Sequence, residues 1–110
     1  EESDIAKRLR ELMKEDRLFL QPNLTLQELA QHLQTNINEL SSTINQTFGQ
    51  NFNDYINSLR IEEFIKQFKE GKGKKFTLIS LAFNSGFNSK ATFNRAFKKL
   101  KGCSPRQFLQ

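Results

Sequence analysis

Lys90, Asn94, Arg95 and Lys98 recur at i, i+4, i+5 and i+8, a spacing that gathers four side chains on one side of a helix. An arginine fork matches the O6 and N7 of guanine, and an asparagine amide matches the donor and acceptor on adenine. A lysine reaches guanine or phosphate. A merely solvated helix face carries the same residue types, so the surroundings decide between the two readings.

The surroundings are basic. Residues 71–110 hold nine Lys or Arg and no Asp or Glu, whereas residues 1–70 hold eight basic and twelve acidic side chains, a net of −4; +9 and −4 give the whole chain's +5. Charge concentrated on one part of a surface steers a polyanion and releases its counterions, and nucleic acid is the commonest such partner. An acidic protein or a membrane surface would feel the same field, and lysines kept for solubility would also produce it.

The elements that must position this face read as helices, because nothing alternates with a period of two for long enough to make a strand. A first helix is predicted from Ser3 or Asp4 to Asp16 with Ile5, Leu9, Leu12 and Met13 on one stripe, and Leu18, Phe19 and Pro22 end it. Thr25 and Glu28 form a capping box for a short helix carrying Leu26, Leu29, Ala30 and Leu33. After a turn at Gln34, Thr35 and Asn36, a third helix is predicted to turn Ile37, Leu40, Ile44 and Phe48 inward and Asn38, Ser41, Ser42 and Asn45 outward, and to stop at Gly49.

The longest helix is predicted over about residues 53–70, with Tyr55, Ile56 and Leu59 on one part of its length and Ile61, Phe64, Ile65 and Phe68 on the other. At 1.5 Å per residue it would span about 25–28 Å and act as a spacer between two small units. Gly71 and Gly73 close it. Thr77 then caps a helix bearing Leu78, Ile79, Leu81, Ala82 and Phe83, and the chain turns at Asn84, Ser85 and Gly86. The helix carrying the basic face follows, from Asn88 or Ser89 to about Lys101, with Phe93, Ala96, Phe97 and Leu100 inward, and Gly102 stops it. Ser104 and Pro105 open a short last helix with Phe108 and Leu109.

Leu26, Leu29 and Ala30 repeat as Leu78, Leu81 and Ala82 at an offset of 52, and Leu40, Ile44 and Gly49 repeat as Phe93, Phe97 and Gly102 at 53. The chain is therefore expected to be all-α, with about seven helices: two helix-turn-helix lobes, at residues 1–50 and 72–110, joined by a linker helix over 51–71. In such a lobe the second helix enters the major groove and the first crosses the backbone. Many helical bundles pack this way without touching nucleic acid, so the local charge and the outward polar residues carry the inference.

Other chemistries find little support. The single Cys103 excludes an intrachain disulfide and is expected to be buried at a helix junction; His32 lacks the neighbours of a metal site. Glu62 and Glu63 are adjacent on a helix and point about 100° apart, so they form no acid/base pair. No catalytic constellation, cofactor motif or metal site is found. The eleven Phe are expected mostly in the core rather than as stacking platforms. No apolar run is long enough to cross a bilayer, and a cytoplasmic setting is expected. The start at Glu1 rather than Met suggests a segment of a longer protein.

From about Leu24 to Leu109 the chain resembles the AraC/XylS type of bacterial transcription regulator. The resemblance rests on LAFNSGFNSKATFNRAFKKLKGCSPRQF in the second lobe and on LTLQELA, LSSTINQTFG and YINSLRIEE before it. It implies a seven-helix domain whose two recognition helices enter successive major grooves on one face of double-stranded DNA. Carried over by position, its DNA-contacting sites fall on Lys90, Ala91, Asn94 and Arg95 in the second lobe and on Asn38, Ser41 and Ser42 in the first. Asn45, Lys98 and Lys99 extend those faces, and the caps Thr25, Thr77 and Ser89 are expected to meet phosphates. Ser42 replaces a basic residue frequent in the family, so the second lobe is expected to supply more of the electrostatic affinity. The resemblance further implies RNA polymerase as a partner and an upstream sensor or dimerisation domain, which in some members anchors the intact protein in a membrane. A nonspecific architectural protein and a module for an acidic protein partner remain the alternatives.

Overall fold

The computed structural model describes residues 2–109, and among them every regular element is a helix. The seven α-helices are α1 (Asp4–Glu15), α2 (Leu26–His32), α3 (Ile37–Phe48), α4 (Phe52–Lys69), α5 (Leu78–Asn84), α6 (Lys90–Lys101) and α7 (Pro105–Phe108). Short 3-10 turns lie at Leu18–Leu20 and Lys72–Lys74. The chain divides into two compact units, one ending at Ile56 and the other beginning at Asn57, so the dividing point falls inside α4.

Side-chain caps set the helix starts. Ser3, Thr25, Asn36, Thr77, Ser89 and Ser104 each accept a hydrogen bond from the amide three residues on, satisfying one donor that the helix itself leaves orphaned. Left-handed glycines set two of the stops: Gly49 at φ 66° ends α3 and Gly102 at φ 80° ends α6.

In the first unit, Ala6, Leu9 and Met13 of α1 pack inward with Leu29, Ala30, Leu33, Leu40 and Ile44. The inward stripe of α1 is centred on Ala6 and Leu9; Ile5 and Leu12 are only half-buried. The Arg8 guanidinium donates to the Leu33 carbonyl, joining α1 to the end of α2. Tyr55, in the first turns of α4, stacks on Phe48 with ring centroids 4.4 Å apart. Burial pushes the Tyr55 phenol up to about 12, against a smaller downward pull from the Arg10 charge.

In the second unit, Ile61, Phe64 and Ile65 of α4 pack with Leu81, Ala82, Phe87, Phe93, Ala96 and Phe97. Each fully buried aliphatic or aromatic side chain of this kind contributes about 1.5–3 kcal/mol relative to exposure. Arg60 is also buried, with its guanidinium carbon 5.8 Å from the Phe87 ring centroid and Nη1 donating to Asn57 Oδ1 at 3.2 Å. Burial draws its pKa down.

Three expectations about burial change. Ile37 does not turn inward: it is 43% exposed, because the core beneath α3 begins one turn later at Leu40. The phenylalanines are core only in part: Phe19, Phe64, Phe87, Phe93 and Phe97 are buried and Phe48, Phe52 and Phe68 half-buried, while Phe76, Phe83 and Phe108 are exposed. Cys103 is half-buried rather than enclosed at the helix junction.

Candidate nucleic-acid interface

The rotation of α6 about its own axis is fixed by rings. Phe93 lies 4.8 Å from Phe64, 5.3 Å from Phe87 and 5.9 Å from Phe97, centroid to centroid, and Phe97 lies 5.5 Å from Phe108. Tilted and edge-to-face packing of this kind adds to the area it buries and resists turning of the helix. With Phe93, Ala96 and Phe97 held inward, the opposite side is set: Lys90, Ala91, Asn94, Arg95, Lys98 and Lys99 are all exposed. The amphipathic spacing legible in the sequence is thus realised as an exposed, basic helix face.

Ser89 begins this helix. Its hydroxyl accepts from the Thr92 amide at 3.1 Å and donates to the Thr92 hydroxyl at 2.9 Å. Lys90 and Asn94 border a cleft of about 510 Å³ whose other walls include Phe76, Thr77 and Arg106. Arg106, exposed on α7, thus lies along the same cleft as two of the expected reading residues. Sequence reasoning passed over it because the short last helix gave no periodicity to place it. Lys101, by contrast, is turned away from any simple role as a free cation. Its Nζ lies 3.0 Å from Glu62 Oε1 and 5.6 Å from the Phe108 ring centroid.

In the first unit, α3 leaves Asn38, Ser42 and Asn45 exposed and Ser41 half-buried. Asn45 Nδ2 donates to the Ser41 carbonyl at 3.0 Å, so one side of its amide is committed to its own helix. Glu39 is the one acid on α3; its Oε2 accepts from the Thr35 hydroxyl at 3.1 Å and its amide donates to Asn36 Oδ1 at 2.8 Å.

The two leading caps differ in charge. Thr77 accepts from the Ser80 amide at 3.1 Å and donates to the Ser80 hydroxyl at 2.9 Å, a neutral arrangement. Thr25 sits in a capping box instead. Glu28 Oε1 accepts from the Thr25 amide and from its hydroxyl, each at 3.0 Å. A carboxylate there repels a phosphate that the same cap would otherwise attract.

Among the described residues no group of three or more His, Cys, Asp or Glu is placed to hold a metal ion, and no helix is long and apolar enough to cross a membrane. Glu62 and Glu63 separate as expected for helix neighbours: Glu62 faces Lys101, whereas Glu63 Oε2 accepts from Gln67 Nε2 at 2.8 Å.

Residues 29–110 match the model of a helix-turn-helix domain family. The chain is 28% identical over 91 residues to an uncharacterized HTH-type transcriptional regulator of Staphylococcus aureus (strain COL). That match covers 83% of the chain but only 12% of the staphylococcal protein. Among solved structures, the C-terminal domain of AraT, a response regulator from Geobacillus stearothermophilus, superposes with a TM-score of 0.79 at 28% identity, over 96% of this chain and 84% of that one. A protein of unknown function from Listeria innocua shares the fold, with a TM-score of 0.75 at 24% identity over 96% and 94% of the two chains.

Proposed function

Since the chain belongs to the AraC-type helix-turn-helix family, we propose that it binds double-stranded DNA sequence-specifically, as the output domain of a transcription regulator. One observation carries this reading: the outward face of α6 gathers Lys90, Asn94, Arg95, Lys98 and Lys99 in solvent, while the rings of Phe93 and Phe97 hold the helix in that orientation.

Each unit is assigned one major groove, entered by α3 in the first and α6 in the second. Arg95 forks onto guanine and Asn94 pairs with adenine, Lys90 reaches guanine or phosphate, and Ala91 leaves room for close approach of the helix. Lys98 and Lys99 contact phosphate, as do the caps at Thr77 and Ser89. In the first unit Asn38, Ser41, Ser42 and Asn45 read through amides and hydroxyls without adding charge. Thr25, closed by Glu28, is the weakest of the assigned phosphate contacts.

The affinity is therefore assigned mainly to the second unit, and the first refines sequence choice. The same reading makes RNA polymerase and an upstream sensor or dimerising segment its partners, and the cytoplasm its place of action.

Selection from a randomised duplex library near physiological salt, with wild type and Arg95→Ala, tests the proposal. An enriched motif in two blocks about one helical turn apart, altered in one block by the substitution, is the expected result. Binding without an enriched motif would make the protein an architectural binder. No duplex binding would point to an acidic protein partner.

A further inference from the structure

Ile37 is the first residue of α3 and is 43% exposed, although it is an aliphatic residue on a helix whose later members Leu40 and Ile44 are completely buried. It borders an open cleft of about 510 Å³ together with Gln27 and Gln31 of α2, Thr35 in the turn, and Asn38. The sequence repeat explains what this place is. At the offset of 53 that relates α3 to α6, Ile37 corresponds to Lys90, Asn38 to Ala91, Ser41 to Asn94 and Ser42 to Arg95. Lys90 is exposed and borders its own cleft beside Asn94. Ile37 therefore holds the leading position of the reading face in its unit, with an apolar group where the other unit has a cation.

The base edges of the major groove offer one apolar feature, the 5-methyl group of thymine. Resting on the DNA-binding reading above, we infer that Ile37 is a specificity-determining residue that packs against a thymine methyl in the block read by the first unit. Gln27, Gln31 and Asn38 supply amides around it, so the cleft offers an apolar centre with polar borders. This suits a methyl flanked by the hydrogen-bonding edges of the same and adjacent base pairs. It also gives the uncharged α3 a means of base choice that needs neither arginine nor lysine.

Replacing thymine by deoxyuridine removes only the methyl, which makes the test direct. On the duplex enriched by selection, each thymine of the first unit's block is replaced in turn, and binding is measured for wild type, Ile37→Ala and Ile37→Val. One replacement is expected to weaken wild type by about fourfold, the factor carried by burial of one methyl group. Ile37→Ala should bind the thymine duplex more weakly by at least that factor and no longer distinguish it from the deoxyuridine duplex, while Ile37→Val retains part of the distinction. Because Ile37 is 43% exposed, both variants should remain folded, and thermal melting should show cooperative transitions well above the assay temperature.

A wild type indifferent to every replacement, or an Ile37→Ala variant that still distinguishes thymine, overturns the inference while leaving sequence-specific binding intact. If selection enriches no duplex at all, the DNA-reading proposal fails, and the role of Ile37 fails with it.

Discussion

Gln34 and Gly86 perform the same step in two separate turns. Gln34 stands at φ 55° and Gly86 at φ 109°, and the next amide in each case bonds five residues back: Thr35 to the Ala30 carbonyl at 3.0 Å, Phe87 to the Ala82 carbonyl at 3.1 Å. Both helices end in this way so that the chain can reverse into the helix that follows, α3 or α6. Only one turn uses the residue that adopts a positive φ without strain. Gln34→Gly is expected to stabilise the protein by about 1 kcal/mol, and Gly86→Ala to destabilise it by about 1–2 kcal/mol. Urea denaturation read by circular dichroism checks both; a Gln34→Gly variant weaker than wild type would contradict the strain assigned to that turn.

Lys98 is exposed on the outer side of α6, beyond the residues assigned to base edges. Lys98→Ala should weaken binding to specific and random duplexes alike and reduce the slope of log affinity against log salt by about 0.9, the share of one phosphate contact. Titrations at several salt concentrations decide this, and an unchanged slope removes Lys98 from the interface.

Lys101 behaves differently because Glu62 holds it at 3.0 Å. The pair is partly exposed, so its coupling in a double-mutant cycle is expected at about 1 kcal/mol or less and should shrink further at high salt. Lys101→Ala should reduce the salt slope of DNA binding by less than Lys98→Ala does. An equal reduction would show that DNA pulls Lys101 away from Glu62.

Arg60 is a buried cation. Buried beside Phe87, it contributes both its aliphatic stem and its charge over the ring. Arg60→Ala is expected to cost about 2 kcal/mol or more in unfolding free energy. Arg60→Met, which keeps the stem's bulk, should restore part of that loss in a denaturation experiment.

Tyr55 is the single tyrosine in the chain, so absorbance reports its ionisation directly. Its phenol has a folded-state pKa of about 12 against an ordinary 10.0, and the native state therefore keeps a proton that the unfolded state releases. This part of the stability is complete below pH 10 and is lost as pH rises through about 12. Tyr55→Phe should show a shallower decline of stability across that window. Identical pH profiles for the two proteins would rule out a titration of Tyr55 coupled to folding.

Much of this fold was legible from local signals. Capping residues at Thr25, Thr77 and Ser89, and glycines at Gly49 and Gly102, mark where helices must start and stop, and those signals depend on only a few neighbouring residues. The exposure of Ile37 was not legible, because periodicity gives the angle of a side chain around a helix but not whether a core lies beneath that turn. Arg60 was missed for the opposite reason: its ring partner Phe87 lies on a later turn of the chain and supplies an environment no local pattern reports. On α6 the outward residues followed from the inward ones, whereas Arg106 joined the same cleft only through tertiary packing.

A methyl group added at Gly49 or Gly102 would touch nothing within 4 Å, yet both residues stand at positive φ. Space is therefore not what these positions require; the constraint lies in the handedness of the α-carbon. D-alanine, the mirror form, would fit both backbones without strain and would restrict the unfolded chain more than glycine does. Helices α3 and α6 end at points where the natural alphabet offers an achiral residue as the nearest substitute for a right-to-left inversion.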